Sequence, residues 1–250
     1  MMPLYYDTGG CMQSKNRMEY LFKDDTKRDI VIIFPGGGYE RTSLREAYPV
    51  AQVLMDRGFH TAIFWYRETK LIYPEIKDEG LLMIEEVKKD HRVGRIILLG
   101  FSAGGHYALM LSIHGSHLIY KTVLAYPVVS SDPLIRHEGS IKNLLGTLDS
   151  PYLASVSLEH AIHQDVKPMF IMHTQDDATV PVENSLRLIE SLQKHAIHYE
   201  CHIYPEGRHG LSLATKETAF EDMDPEVFAK ENKSVASWFD LAISFMKRGI

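Results

Sequence analysis

Short, nearly unbroken apolar runs alternate along this chain with segments whose apolar residues recur every three or four positions. The runs are DIVIIFPG (29–36), HTAIFWY (60–66), RIILLG (95–100), KTVLAYP (121–127) and PMFIMHT (168–174). A sixth, YECHIYP (199–205), alternates more. Continuous hydrophobicity predicts strands covered on both faces, and alternation predicts a strand nearer the sheet edge. Between the runs, LREAYPVAQVLMDRG, IKDEGLLMIEEVKKDHRVG, AGGHYALMLSIHG, VPVENSLRLIESLQKHA and ENKSVASWFDLAISFMKRG carry the helical period. The first of these stops at Gly58. Strands alternating with helices predict an α/β fold, a mostly parallel sheet with right-handed crossovers and helices on both faces. Ahead of it, LYYDT and MEYLFK flank Gly9 and Gly10 and predict an antiparallel pair, which brings the sheet to about eight strands. Residues 130–166 break the rhythm with Pro133, Gly139, Gly146, Pro151 and short helical pieces such as IKNLLG. They predict a small cap excursion over the strand ends.

A length of 250 residues suits a single domain with one sizeable core, here 1–250. The net charge is −6 and Lys and Arg are scattered, which argues against a nucleic-acid or membrane-surface partner. No apolar run approaches the roughly 20 residues needed to span a bilayer. The opening MMPLYYDTGGCMQSKNR lacks a basic stretch followed by an apolar one, and only Cys11 and Cys201 occur. Both features lead to the expectation of a cytoplasmic protein without a disulfide framework.

The candidate chemistry begins at GFSAGG (100–105), directly after an apolar strand and directly before a helix. Gly100-Phe101-Ser102-Ala103-Gly104 fits G-x-S-x-G, in which a nucleophile sits on a sharp turn and the glycines remove bulk where strand and helix close together. A glycine-rich bend with Ser102 as a helix cap would spell the same pentapeptide. Two later stretches favour the nucleophile. HTQDDATVPVENS follows the fifth run and EGRHGLSL the sixth, so the order is Ser, Asp, His, each on a turn past a strand. His209 would take and return the Ser102 proton, and an acid would orient the imidazole. Asp177 is placed for this by its spacing to Val180-Pro181, with Asp176 as the fallback. The oxyanion would meet the N–H of Ala103 and those of Gly37 and Gly38 in FPGGGYE (34–40). A phosphate loop is disfavoured, since neither G-K-[S/T] nor G-x-G-x-x-G occurs. H-x-x-H recurs at His114/His117, His160/His163 and His195/His198, without the carboxylate or cysteine company of a zinc site, and no metal is expected. His106 reads as a packed helix residue. Among Tyr39, Tyr66, Tyr126 and Tyr152, all candidates for packing, Tyr39 is the best placed to line a substrate pocket. The acidic EDMDPE (221–226) reads as a solvated loop.

With those residues in place the sequence resembles the α/β-hydrolase superfamily, and within it bacterial acetylesterases similar to xylan esterases. The stretches that carry the resemblance are PGGGYERTSLREAYPVA, GFSAGGHYA, HTQDDATVPVENS and GRHGLSLA, spread over Pro35 to Ala214. It implies serine-dependent hydrolysis of short acyl esters, typically acetyl groups on sugars, with no cofactor and a small-molecule ester as the partner. It carries the nucleophile to Ser102, the acid to Asp177, the base to His209 and the oxyanion loop to Gly36–Gly38. One departure is Pro35, where many relatives with this loop have His. In the nearby SLRE (43–46), Arg45 or Glu46 either braces the glycine loop or faces solvent. Two competing functions share the fold. A serine peptidase of the prolyl-oligopeptidase type usually needs an added domain. A non-catalytic binding protein normally loses a member of the triad, and here all three positions are filled. The oligomeric state is left open.

Overall fold

Alternation within each apolar run divides the core in two. In the computed structural model, which describes residues 16–249, strand β2 (Arg28–Phe34) sends Ile30, Ile32 and Phe34 to one face of the sheet and Val31 and Ile33 to the other. The same parity holds in β3 (His60–Trp65), β4 (Val93–Phe101), β5 (Lys121–Ala125) and β6 (Met169–Thr174). Successive side chains of a strand point to opposite faces, so an unbroken apolar run needs cover on both. One face receives α2 (Glu75–Val87), α3 (Ala103–His114) and α5 (Glu183–Lys194). The other receives α1 (Tyr48–Asp56) and, from the end of the chain, α8 (Trp238–Lys247).

The described residues form one seven-stranded sheet in the order β1-β3-β2-β4-β5-β6-β7. All neighbours are parallel except β1 (Arg17–Leu21), which runs antiparallel to β3. This is the α/β-hydrolase fold, with seven strands among the described residues where about eight were expected. The MEYLFK run forms β1, but its partner is β3; LYYDT lies outside the described residues. The alternating YECHIYP run is β7 (Tyr199–Tyr204), an edge strand as its pattern implied. From β2 the chain moves outward to β3, then returns to the other side for β4. The loops after β2 and β4 therefore adjoin at a topological switch point, where open α/β sheets build their sites.

Residues 130–166 contain α4 (Glu138–Leu145) and two 3₁₀ turns. Gly146 takes the left-handed conformation that ends α4, φ 79°. Toward the end of the chain, EDMDPE leads into α6 (Pro225–Glu231) rather than remaining a loop; Asp224 accepts from the N–H groups of Glu226 and Val227. A short α7 (Lys233–Ala236) connects it to α8.

Candidate active site

Ser102 sits where β4 turns into α3 with φ 53° and ψ −120°, a conformation side chains rarely adopt. Neighbouring backbone pins it there. The Ser102 N–H donates to Ala125 O at 3.0 Å, and Ser102 O accepts from Val128 N at 3.1 Å. The two flanking glycines have no room for a side chain. A Cβ on Gly104 would stand 2.1 Å from Phe34 O, and one on Gly100 would stand 2.4 Å from Gly104 O. Ala103 is the first residue of α3, so its N–H has no intrahelical acceptor and points outward with the positive end of the helix.

Past β6, the Asp177 carboxylate is buried and turns one oxygen to each side. Oδ1 accepts the N–H groups of Thr179 and Val180, both at 2.9 Å. Oδ2 accepts His209 Nδ1–H at 2.6 Å. From the far side of the ring, His209 Nε2 meets Ser102 Oγ at 2.8 Å. Ser102, His209 and Asp177 thus form one continuous hydrogen-bonded line. Asp176 is occupied elsewhere, its Oδ1 accepting the Gly207 N–H at 2.8 Å and tying the β6 loop to the β7 loop. Burial opposes the Asp177 charge, but hydrogen bonds from His173 and His209 outweigh it and hold the carboxyl well below the usual carboxylate range. His173 is fully buried on β6; its Nε2 lies 2.9 Å from Val180 O and 3.4 Å from Asp177 Oδ2, while Nδ1 meets Ser185 Oγ. No sequence motif marks it, because a histidine inside an apolar strand reads as core.

The glycine loop after β2 is held from three sides. Tyr66 donates to Pro35 O at 2.6 Å, Gly36 N–H donates to Glu46 Oε2 at 2.7 Å, and Asn143 of α4 donates to Gly38 O at 2.9 Å. Tyr66 therefore supports the segment at which Pro35 departs from the pattern of related loops. Gly36, whose N–H is taken by Glu46, is not free to meet a ligand. Gly37 and Gly38, with φ of 131° and 65°, keep N–H groups that donate to no acceptor among the described residues. Glu46 is buried and braces the loop, accepting also from Tyr126 at 2.7 Å. Burial raises its carboxyl above the ordinary range against the pull of the Tyr126 and Gly36 hydrogen bonds and the charges of His209 and Arg45. Arg45 reaches away from the loop, donating to Thr218 O and Ala219 O and stacking 4.0 Å over Phe220. Tyr126 links the parts, accepting the Ser212 N–H at 2.9 Å and setting its ring edge against His209.

Tyr39 does not line a pocket, contrary to the expectation from its position after the glycines. Its side chain is fully buried against Tyr66 and Tyr107, and its hydroxyl meets His106 Nδ1 at 2.9 Å. The backbone φ of 56° turns the ring inward. His106 bonds Val156 O through Nε2, and burial lowers its pKa to about 4, so it stays neutral. Of the H-x-x-H residues, His163 and His195 bond main-chain carbonyls. No group of three or more His, Cys, Asp or Glu that could hold a metal ion forms among the described residues.

Comparison with known proteins gives a consistent picture. The profile of the dienelactone hydrolase family matches residues 59–246. An endo-1,4-beta-xylanase B of Butyrivibrio fibrisolvens is 28% identical over 225 residues, 81% of this chain and 35% of that protein. An acetylxylan esterase of Xylanibacter ruminicola is 25% identical over 214 residues, 80% of this chain and 45% of that one. The chain thus spans less than half the length of these curated relatives. Among solved structures, an acetyl ester-xyloside bifunctional hydrolase from Caldicellulosiruptor lactoaceticus superposes with a TM-score of 0.72 at 31% identity, covering 88% of each chain.

Proposed function

We propose that this chain, which belongs to the dienelactone hydrolase family, is a serine carboxylic-ester hydrolase that removes short acyl groups, acetyl above all, from small-molecule esters such as acylated sugars. We read it as a single cytoplasmic α/β-hydrolase domain with residues 130–166 as a small cap. The observation that carries the reading is the line Ser102 Oγ–His209–Asp177, with contacts of 2.8 and 2.6 Å, beside backbone N–H groups that find no acceptor among the described residues. The acetyl preference is supported by the relatives, an acetylxylan esterase and an acetyl ester-xyloside hydrolase.

In this mechanism Asp177 keeps the His209 proton on Nδ1, so Nε2 is free to accept one from Ser102. As Ser102 Oγ bonds the ester carbonyl carbon, the carbonyl oxygen becomes an oxyanion. The N–H of Ala103 and those of Gly37 and Gly38 are the donors for it. The bond to the alcohol oxygen then breaks, that oxygen takes the proton from His209, and the acyl group stays on Ser102. Water attacks this acyl-enzyme as His209 removes its proton; the acid departs and the Ser102 hydroxyl is restored. No step calls for a cofactor. Asp177 stays ionised throughout, in keeping with the depression of its carboxyl pKa.

The test is hydrolysis of p-nitrophenyl acetate and p-nitrophenyl octanoate by wild type and Ser102→Ala. The expected result is a faster rate on acetate, lost in the variant by about 10⁴-fold or more in kcat. A folded variant that keeps more than a few per cent of the activity would defeat the serine mechanism.

A further inference from the structure

His137 brings a second imidazole to the glycine loop, from the cap side. It is the N-cap of α4: Nδ1 accepts the Ser140 N–H at 3.2 Å and pairs with the Ser140 hydroxyl at 2.7 Å. A ring nitrogen that accepts a backbone N–H carries no proton, so the neutral imidazole has its proton on Nε2. That donor has no partner among the described residues, and it is not sealed away from solvent. The ring lies against the loop that supplies the oxyanion donors. A Cβ on Gly38 would meet His137 Cε1 at 3.8 Å and Ser140 Oγ at 3.9 Å. About one turn beyond Ser140, Asn143 of the same helix holds the Gly38 carbonyl, so α4 and the His137 that caps it are tied to the loop. Burial, followed by the charge of His209, lowers the His137 pKa against the pull of Asp177. The ring is therefore a neutral donor within electrostatic reach of the triad.

An acetyl group offers this donor nothing. Its carbonyl oxygen is served by backbone N–H groups, and its methyl has no acceptor. The remaining oxygens of an ester belong to the alcohol. We infer that His137 is a specificity-determining residue whose Nε2–H hydrogen-bonds a hydroxyl or ring oxygen of a polyol alcohol part. The cap thereby reads the alcohol while the triad and glycine loop handle the acyl group. This rests on the esterase reading above. A site built to bond a substrate hydroxyl discriminates against analogues that lack it, since the donor is then left unpaired.

Two substitutions separate donor from cap. Asparagine is among the best N-cap residues, so His137→Asn keeps an acceptor for the Ser140 N–H but ends short of the Nε2 position. His137→Gln reaches that position with an N–H and gives up the cap. The measurement is kcat/KM on acetylated xylobiose and on p-nitrophenyl acetate for wild type and both variants. The expected result is a fall of roughly 10-fold or more in the sugar-to-aryl ratio for His137→Asn, with partial recovery in His137→Gln. Equal losses on the two esters, an unchanged ratio, or a loss confined to the Gln variant would each overturn the inference. So would a wild type that hydrolyses the aryl ester and not the sugar ester. If wild type turns over neither ester, the esterase reading fails separately. Calorimetric binding of acetylated xylobiose to Ser102→Ala, with and without His137→Asn, then decides: at least tenfold weaker binding in the double variant supports His137, while equal binding or none overturns it.

Discussion

The geometry around Asp177 makes a one-atom substitution informative. In Asp177→Asn the side-chain oxygen has to stay where Oδ1 is now, because the N–H groups of Thr179 and Val180 converge on it at 2.9 Å each. Reversing the amide would oppose its NH₂ to two backbone donors, at a cost of about 1–3 kcal/mol for each unpaired group. The NH₂ must therefore face His209 Nδ1, across a contact of 2.6 Å in the wild type. An imidazole next to that donor can only accept, which moves its proton to Nε2 and toward Ser102. The base is then in the wrong tautomer to take the serine proton. A tautomer fault of this kind lowers kcat by about 10⁴-fold in serine hydrolases, equivalent to about 5.4 kcal/mol of barrier. Asp176→Asn is the matched control. It keeps an oxygen for the one N–H that Asp176 binds, from Gly207, and touches neither His209 nor Ser102, so less than a tenfold change is expected. The assay is kcat on p-nitrophenyl acetate at pH 7, with circular dichroism to verify folding. A folded Asp177→Asn that keeps a tenth of wild-type kcat, or an Asp176→Asn that loses as much as Asp177→Asn, would refute the assignment.

Two further substitutions probe the support of the site. Glu46→Gln keeps an acceptor for Gly36 and removes a buried charge. Because burial raises the folded-state pKa of Glu46, its contribution to stability is present below the ordinary glutamate range and is lost as pH rises through the folded value. The difference in Tm between Glu46→Gln and wild type should therefore shift in favour of the variant from pH 4 to pH 8. A shift of the opposite sign would contradict the burial argument. Gly104→Ala would press a methyl to within 2.1 Å of Phe34 O, a backbone atom that cannot rotate away. It should cost about 3 kcal/mol or more in urea unfolding, and a variant with wild-type midpoint and kcat would mean that strand and helix are not so close.

The hydrogen-bonded line of Ser102, His209 and Asp177 was legible because its residues stand next to strong backbone signals. Gly100 and Gly104 mark the elbow, and Asp177 and His209 each follow an apolar run whose end is easy to read. The bracing was not legible, because it is assembled from residues far apart in sequence: Glu46 with Gly36 and Tyr126, Asn143 with Gly38, Tyr66 with Pro35. Tyr39 failed for a related reason. Adjacency to the glycines suggested a pocket, yet its positive φ reverses the direction of the side chain, and a sequence does not display φ for a tyrosine. Helix α6 carried a readable signal, Asp224 as N-cap with Pro225 at the first helical position, which the acidic character of the stretch obscured.

Positive φ values also locate where the fold concentrates its strain. Among the described residues the non-glycine cases are Tyr39, Ser102, Tyr126, Ala196, Ser212 and Ala214. All but Ala196, in the turn before β7, belong to the glycine loop, the elbow, the end of β5 or the segment after His209. Each such residue costs roughly 1–3 kcal/mol and persists only where its surroundings over-determine it. Here they do. Tyr126 donates its N–H to Met172 O and its hydroxyl to Glu46; Ser212 gives its N–H to Tyr126 and its hydroxyl to Arg45 O, while its carbonyl accepts from Trp238. These bonds run from the glycine loop through Glu46 and Tyr126 to the segment bearing His209. The glycine loop and His209 are consequently held by one network, and loosening Glu46 should disturb both at once.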